Sequence, residues 1–389
     1  MPGIVVKPRS RIFHGHDWVY SSEVQKIFGD PQPGSVISLK DFRDRPLGTA
    51  IYNPASQIVA RRISRRKQEL DADFFERRLR RALALRESLG FSETVYRLVW
   101  SEADGLPGVV VDRYGDHFAL QTLTLAMDQR RGLLVEALGA VFGEITVVER
   151  NDSPIRKAEG LGPRVGVLAG EWDGPFPVEI GGLVQEVDLL AGQKTGLYLD
   201  QLDNYAAVGA LAAGKSVLDC FCNQGGFALH AARGGAASVL ALDASAAAVA
   251  ATRANAARND LAVEALEANV FDFLKQAETE ERRFDLIVLD PPSFTKSRKA
   301  LGDALRGYKE IHLRALKLLS PEGILSTYCC SHHVGAREFL GVVADASVDA
   351  KRTLRLLADH GQRRDHPVIL TLPETAYLKG HTFQCVGGF

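Results

Sequence analysis

Ser216-Val-Leu-Asp-Cys-Phe-Cys-Asn-Gln-Gly-Gly-Phe227 is the stretch on which the reading of the fold turns. A short, mostly apolar strand runs into two glycines and then into an apolar helical segment over 228–233, the βα turn of nucleotide-type α/β folds. Glycines at such a turn let the backbone approach a ligand, and the helix amino terminus offers unpaired N–H groups. The dinucleotide fingerprint needs glycines in the order G-x-G-x-x-G. Here only the Gly225-Gly226 pair is present, with Asn223 where an earlier glycine could stand, which argues against a pyrophosphate grip. Twenty-four residues after Asp219 a second strand, 238–242, ends in Asp243, placed to bind the two hydroxyls of a ribose. Strand, glycine turn, helix, strand and acid together favour an adenosyl ligand without phosphates, S-adenosylmethionine over NAD. A glycine pair also serves close helix-to-strand packing, and the acid at the second strand end tips the balance. A third strand is expected to end near Asn269-Val270-Phe271, where the Asn269 amide could meet the adenine edge.

Further along, Asp285-Leu-Ile-Val-Leu-Asp290 reads as a fourth strand running into Pro291-Pro-Ser-Phe294. An apolar run ending in an acid and two prolines sets a carboxylate in a rigid loop at the carboxyl edge of the sheet, where open α/β sheets bind ligands. Phe294 can stack on a flat base, and Lys296 and Arg298 follow it, an aromatic with interleaved positive charge that suits a nucleotide within a polyanion. The same turn could simply cap the strand. A fifth strand, Gly323-Ile-Leu-Ser-Thr-Tyr-Cys-Cys-Ser-His-His333, delivers two adjacent thiols to the neighbouring strand end. Adjacent strand residues point to opposite faces, so Cys330 is the candidate for the pocket and Cys329 for the core. A thiolate is a strong nucleophile, although buried cysteine is also a common inert filler. No metal is expected, because the Cys-Cys-x-His-His ligands are too crowded for one tetrahedral ion and no second pair lies at finger-like spacing.

Around this core the 389-residue chain has room for two or three domains. Residues 1–70 alternate short strands (36–39, 47–52, 58–63) with Pro, Gly and Asn-Pro turns and read as a small β-rich domain. A charged helix over 71–89 opens an α+β middle domain, 71–185, with strands at 95–101, 109–113, 118–122 and 145–149 and a helix near 128–142. The Gly/Pro-rich stretch 160–177 leads into the last domain, 186–389, whose alternating strands and helices predict a mostly parallel, doubly wound sheet. Hydrophobic residues make up 46% and charged residues 24%, which excludes a disordered tail protein, a collagen-like repeat or a disulfide miniprotein. With no membrane-length apolar run, no signal-peptide core and an odd five cysteines, the expected setting is cytoplasmic, with reduced thiols and no membrane partner. The formal charge of −1 is unevenly spread. Residues 1–90 hold 17 Lys and Arg against 10 Asp and Glu, a net of +7, which leaves −8 for the rest. A basic end on an acidic body suits a polyanionic partner, with Arg61, Arg62, Arg65 and Arg66 as the cations most expected to meet it; a solvated helix face and linker would carry the same charges.

The motifs in combination resemble the ribosomal RNA large-subunit methyltransferases of the PUA-domain, 5-methylcytosine type. The likeness runs over nearly the whole chain: His16-Asp-Trp-Val-Tyr20, Gln193-Lys-Thr-Gly-Leu-Tyr-Leu-Asp-Gln201, Leu218-Asp-Cys-Phe-Cys-Asn-Gln-Gly-Gly-Phe227, Asp290-Pro-Pro-Ser-Phe294, Cys330-Ser-His-His333 and Tyr377-Leu-Lys379. It implies a PUA-like RNA-binding domain, a small linking domain and a class I (Rossmann-like) methyltransferase domain acting on large-subunit ribosomal RNA. It also implies that Tyr198, Asp200 and Gln201 help to form the cofactor pocket. The expected pocket then takes Asp219, Phe221, Asn223, Gly225 and Gly226 from the first turn, Asp243 and Ala244 from the second, Asn269 and Val270 from the third and Asp290 from the fourth. Asn269 stands where related chains commonly carry Asp.

Chemically, cytosine carbon 5 is a poor nucleophile. Addition of a Cys330 thiolate to carbon 6 would activate it, with Asp290 on the ring edge. Related enzymes with the same Asp-Pro-Pro-Phe turn but no matching cysteine methylate a guanine exocyclic amine, so that reaction stays open, as does a non-catalytic RNA-binding assembly factor. The oligomeric state, a homodimer included, is left open.

Overall fold

The computed structural model describes residues 1–91, 94–192, 195–295 and 297–386. The chain divides into two compact units: Met1–Val178 with Glu186–Leu199 and Arg364–Ala376, and Glu179–Gln185 with Asp200–Arg363 and Tyr377–Phe389. The expected boundaries near 70 and 185 are therefore not those of the compact units. The β-rich and α+β parts belong to one unit, and that unit takes a further segment from near the carboxyl end.

The second unit is built on seven strands: β1 (Ser216–Cys220), β2 (Ser238–Asp243), β3 (Glu264–Glu267), β4 (Phe284–Leu289), β5 (Leu319–Cys329), β6 (Thr353–Gly361) and β7 (Lys379–Val386). Their order across the sheet is β3-β2-β1-β4-β5-β7-β6. The pairs among β1 to β5 are parallel, whereas β7 lies antiparallel between β5 and β6. Among the described residues the α-helices of this unit are α1 (Leu202–Ala210), α2 (Gly226–Arg233), α3 (Ala246–Arg258), α4 (Val270–Thr279), α5 (Leu301–Leu318) and α6 (Ala336–Asp349). The apolar runs of β1 and β4 follow from burial on both faces: Val217, Leu286 and Val288 join one hydrophobic cluster, and Leu218, Ile287 and Leu289 join the other. Each such side chain contributes about 1.5–3 kcal/mol by leaving water. The strand order reverses between β1 and β4, and the carboxyl ends flanking such a switch point are where open α/β sheets bind ligands.

The first unit holds a six-stranded sheet and a five-stranded sheet. The six-stranded one orders Trp18–Tyr20, Ile58–Ser64, Pro46–Tyr52, Val36–Lys40, Gly3–Val6 and Val24–Phe28 around a core that includes Ile4, Val19, Ile37, Leu39 and Ala60. Three of its strands, Gly3–Val6, Trp18–Tyr20 and Val24–Phe28, were not expected from sequence, because short or outward-facing strands carry little alternation. In the five-stranded sheet the edge strand Arg164–Ala169 occupies what reads as a Gly/Pro-rich connection. Helix Ala72–Ser88 starts at Asp71, whose side chain accepts the Phe74 N–H at 2.8 Å, and buries Phe74, Phe75, Leu79 and Ala82. Arg86 of the same helix is fully buried; it forks onto Asp104 and also donates to the Asp365 carbonyl at 2.6 Å. Among the described residues no helix is long and apolar enough to cross a membrane.

Candidate active site

At the carboxyl end of β1 the chain turns through three left-handed residues: Phe221 at φ 66°, Asn223 at φ 50° and Gly225 at φ 87°. Asparagine and glycine accept that conformation readily. A phenylalanine there costs on the order of 1–3 kcal/mol, strain that concentrates at ligand clamps. Gly226, the first residue of α2, has no room for a side chain, since a Cβ would fall 2.3 Å from Cζ of Tyr205. The turn is tied to β2 by Asp243, whose Oδ2 accepts the Asn223 N–H at 3.0 Å while Oδ1 accepts that of Ser245 at 2.9 Å. Thr252 of α3 donates to the Asn223 carbonyl at 2.9 Å.

Asp219 lies beneath the turn, fully buried. Its Oδ2 accepts the Ala228 N–H from the first turn of α2 at 3.0 Å, and its Oδ1 has no hydrogen-bond partner among the described residues. Burial pushes the Asp219 carboxyl up to about 8; the Ala228 N–H opposes the shift, and the Asp290 and Asp243 charges add to it. After β3 the chain departs from the expected course. The strand ends at Glu267, and Asn269 is the N-cap of α4, its Oδ1 accepting the Phe271 and Asp272 N–H groups at 2.9 and 3.4 Å. Ala244 is exposed and Val270 buried.

A chain of amides reaches the end of β4. Asn204 of α1 donates to Gln201 Oε1 at 2.6 Å and to the Gly361 carbonyl at 3.0 Å, and Gln201 Nε2 donates to Asp290 Oδ2 at 3.1 Å. Beside it Asp200 accepts the Tyr377 hydroxyl at 2.6 Å and, through its carbonyl, the Arg363 N–H at 2.9 Å. Tyr198 is half-buried and belongs to the first unit.

Beyond β5 the two adjacent thiols separate. Cys329 is fully buried and donates to the Tyr308 hydroxyl at 3.3 Å, within the cluster on one face of the sheet; Cys330 is half-buried against the cluster on the other face. The remaining three thiols, Cys220, Cys222 and Cys385, are buried. Burial raises the Cys220 and Cys222 thiols well above the ordinary range, with the Asp219 charge adding to it, so both stay protonated. Lys379 donates from Nζ to the Ser331 carbonyl at 2.5 Å, and the Ser331 hydroxyl is buried without a partner among the described residues. Burial lowers the Lys379 amine, while the Cys329 and Cys330 thiols act against the shift.

Of the other expected residues, Phe294 is half-buried, its ring packed 4.6 Å from that of Tyr308 and 6.0 Å from that of Phe271. Arg298 is exposed, and Lys296 lies outside the described residues. Arg61 and Arg62, expected to face a polyanion, are instead committed to carboxylates: Arg61 to Glu102 at 2.6 Å, lying over the Trp18 ring, and Arg62 to Asp17 at 2.6 Å. Arg65 and Arg66 are exposed. Asn204 carries no chemical signal of its own in sequence and Lys379 stands out only as part of Tyr377-Leu-Lys379; partners on other elements decide the part of each. Among the described residues no cluster of His, Cys, Asp and Glu could hold a metal ion.

This strand order and strand-end turn define an S-adenosylmethionine-dependent methyltransferase, and residues 160–355 match the family described as S-adenosylmethionine-dependent methyltransferase. Residues 6–65 match the PUA-like domain family. Ribosomal RNA large subunit methyltransferase I of Shewanella denitrificans is 43% identical over 373 residues, 94% of each chain, and that of Erwinia tasmaniensis is 39% identical over 390 residues, 98% of each. The chain belongs to the ribosomal RNA large subunit methyltransferase I family. Among solved structures, a SAM-dependent methyltransferase from Streptococcus mutans superposes with a TM-score of 0.84 at 24% identity, covering 99% of this chain and all of that one. The methyltransferase SMU.776, solved complexed with SAH, superposes at 0.85 with 23% identity, covering 99% and 100%. Both show the same fold.

The residues at the turn fit S-adenosylmethionine. Asp219 keeps a buried oxygen without a partner, the turn is held in a left-handed conformation by two non-glycine residues, and the carboxylate at the end of β2 is fixed by backbone N–H groups. None of these features needs a phosphate-binding glycine loop.

Proposed function

We propose that the chain methylates carbon 5 of a cytosine in large-subunit ribosomal RNA through a covalent adduct on Cys330. One observation carries the reading: of five thiols, Cys330 is the one that is not buried, and it follows the end of β5, beside β4 whose end bears Asp290. When bound, S-adenosylmethionine supplies an electrophilic sulfonium methyl. Cys330, as the thiolate, forms a bond to carbon 6 of the ring and raises the electron density at carbon 5. Once carbon 5 carries the methyl, a base takes the carbon 5 proton and the S–C6 bond breaks, which restores the aromatic ring and returns Cys330 to the thiolate. Lys379 holds the Ser331 carbonyl, and its positive charge bears on the Cys329 and Cys330 thiols together, the kind of neighbour that favours a thiolate. Asp290, oriented by Gln201, accepts from the exocyclic amine and, in its protonated form, donates to nitrogen 3, where negative charge develops as the thiolate adds. Carbon 6 is covered on both faces in a stacked helix, so the target base is single-stranded or flipped.

The residues of the second unit proposed to hold the adenosyl ligand are Asp219, Phe221, Asn223, Gly225, Gly226, Asp243, Ala244, Asn269, Val270 and Asp290, with Asp200 and Gln201 on the approach to α1. The test is incubation of the protein with unmodified large-subunit RNA and labelled cofactor, followed by digestion to nucleosides. Labelled 5-methylcytidine is the expected product. N2-methylguanosine would place the chemistry on the guanine amine instead, and no incorporation together with no cofactor binding in calorimetry would point to an assembly factor. RNA carrying 5-fluorocytidine at the modified position should trap a denaturation-resistant adduct that Cys330→Ala does not form.

A further inference from the structure

Two neighbouring cavities in the first unit, of about 430 and 410 Å³, share Arg78 and Arg81 in their walls. The first is also lined by Arg62 and Arg65 of the β-rich part, so it joins strand Ile58–Ser64 and the residue that follows it to helix Ala72–Ser88. Its size falls in the range of ligand clefts, but its walls are mostly charged and polar. Two carboxylates in that wall, Asp17 and Glu102, are already matched by Arg62 and Arg61. On the helix, Arg77 and Arg80 pair with Asp73 and Glu76 one turn back. The remaining cations are left over. Among the described residues Arg78 donates to the Ile63 carbonyl at 2.9 Å and has no carboxylate partner, and Arg65 and Arg81 are exposed with no ion pair. Arg78 and Arg81, three apart, share one helix face. Burial and the like charges of Arg81 and Arg77 work against the Arg78 cation, so the cluster is short of an anion.

We propose that this cleft, with Arg65, Arg78 and Arg81 as its cations, is the site at which the first unit grips the sugar–phosphate backbone of the RNA. The inference rests on the RNA substrate proposed above and adds where that RNA is held. Arginine forks match phosphate oxygens, and the cleft has no stacking aromatic in its wall, so it positions the strand without reading its bases. Of the four amino-terminal cations expected from sequence, Arg61 and Arg62 serve the cleft by cancelling its carboxylates, and Arg65 lines it.

The test uses the full chain and a transcript of a large-subunit ribosomal RNA fragment, with affinity measured by fluorescence anisotropy across a series of KCl concentrations. Arg65 and Arg81 make no ion pair among the described residues, so Arg65→Gln/Arg81→Gln should fold as the parent does, which cofactor calorimetry and thermal melting check. The double variant is expected to bind the RNA about tenfold or more weakly and to lose roughly 1.5 from the slope of log affinity against log salt, with cofactor affinity unchanged. Arg78→Gln should act in the same direction, and Arg283→Gln, an exposed arginine of the second unit, should leave both quantities as they are. Parental affinity and slope in the double variant would overturn the cleft while leaving the RNA methyltransferase reading intact. A parent chain that binds no RNA at all would overturn that reading and the cleft's ligand with it.

Discussion

Gln201 Nε2 donates to Asp290 Oδ2 across 3.1 Å, and Gln201 Oε1 accepts from Asn204 Nδ2 at 2.6 Å, so one buried amide sets the orientation of the carboxylate at the end of β4 from the start of α1. A misplacement of about 1 Å at a reacting group can cost on the order of a hundredfold in rate. Gln201→Ala is therefore expected to lower kcat by about 10- to 100-fold and to cost about 1–3 kcal/mol in urea unfolding, since it strands a buried amide donor of Asn204. Unchanged turnover in this variant would show that Asp290 is positioned by other groups.

The Asp219 carboxyl makes the stability of the cofactor-free chain depend on pH. Its folded value, about 8, lies above the unfolded value of about 3.9. Its stabilising contribution is then complete below about pH 4 and is lost progressively as the pH rises through about 8. Asp219→Asn removes the titration. The melting temperature of the parent relative to this variant should fall steadily between pH 5.5 and 8.5; a difference that does not change with pH would mean that Asp219 is ionised throughout.

Cys329 and Cys330 are expected to separate stability from chemistry. Cys329→Ala removes a buried sulfur and its bond to the Tyr308 hydroxyl, and should cost about 1–2 kcal/mol in chemical denaturation while turnover persists. Cys330→Ala should melt close to the parent, bind cofactor as the parent does and produce no methylated RNA. The reverse pattern would assign the nucleophile to Cys329.

Arg61 is expected to behave as part of the fold. Burial pushes the Glu102 carboxyl up, but the Arg61 guanidinium and the hydrogen bonds from Ser101 and Trp18 outweigh it and hold that carboxyl below its ordinary range. Arg61→Ala leaves this carboxylate buried without its cation, a loss of about 3–5 kcal/mol at neutral pH. A depressed carboxyl stabilises above the unfolded value of about 4.3 and loses that contribution as the pH falls through its folded value, so the deficit of the variant should shrink in acid. Thermal melts at pH 7 and pH 4 check this, and a deficit that grows in acid would contradict the pairing.

Most of the second unit was legible in its sequence. The runs of β1, β2 and β4 are short, continuous and apolar, each is followed by a turn signal, and β2 and β4 lead into Asp243 and Asp290; such signals lie within a few residues of the elements they define. The end of β3 was placed two residues too far along, because Asn269 reads equally well as a strand-end ligand and as a helix cap. The buried Arg86 looked like one more charge on a basic helix, although its partners lie 18 and 279 residues away.

From its sequence alone the protein is an α/β chain with an adenosyl-type turn at Gly225-Gly226, a carboxylate at Asp290, a candidate thiol beside it and a basic amino-terminal part. Hydrophobic period, turn chemistry and charge are local properties and can be read in order along the chain. Tertiary structure alone decided what the core thiol bonds to, which amide holds Asp290 and which arginines are left without a carboxylate. Each of these depends on a partner far away in sequence: 21 residues from Tyr308 to Cys329, 89 from Gln201 to Asp290 and 41 from Arg61 to Glu102. A charge or a thiol has its chemistry set by what folding brings against it, and the chain on either side carries no record of that neighbour.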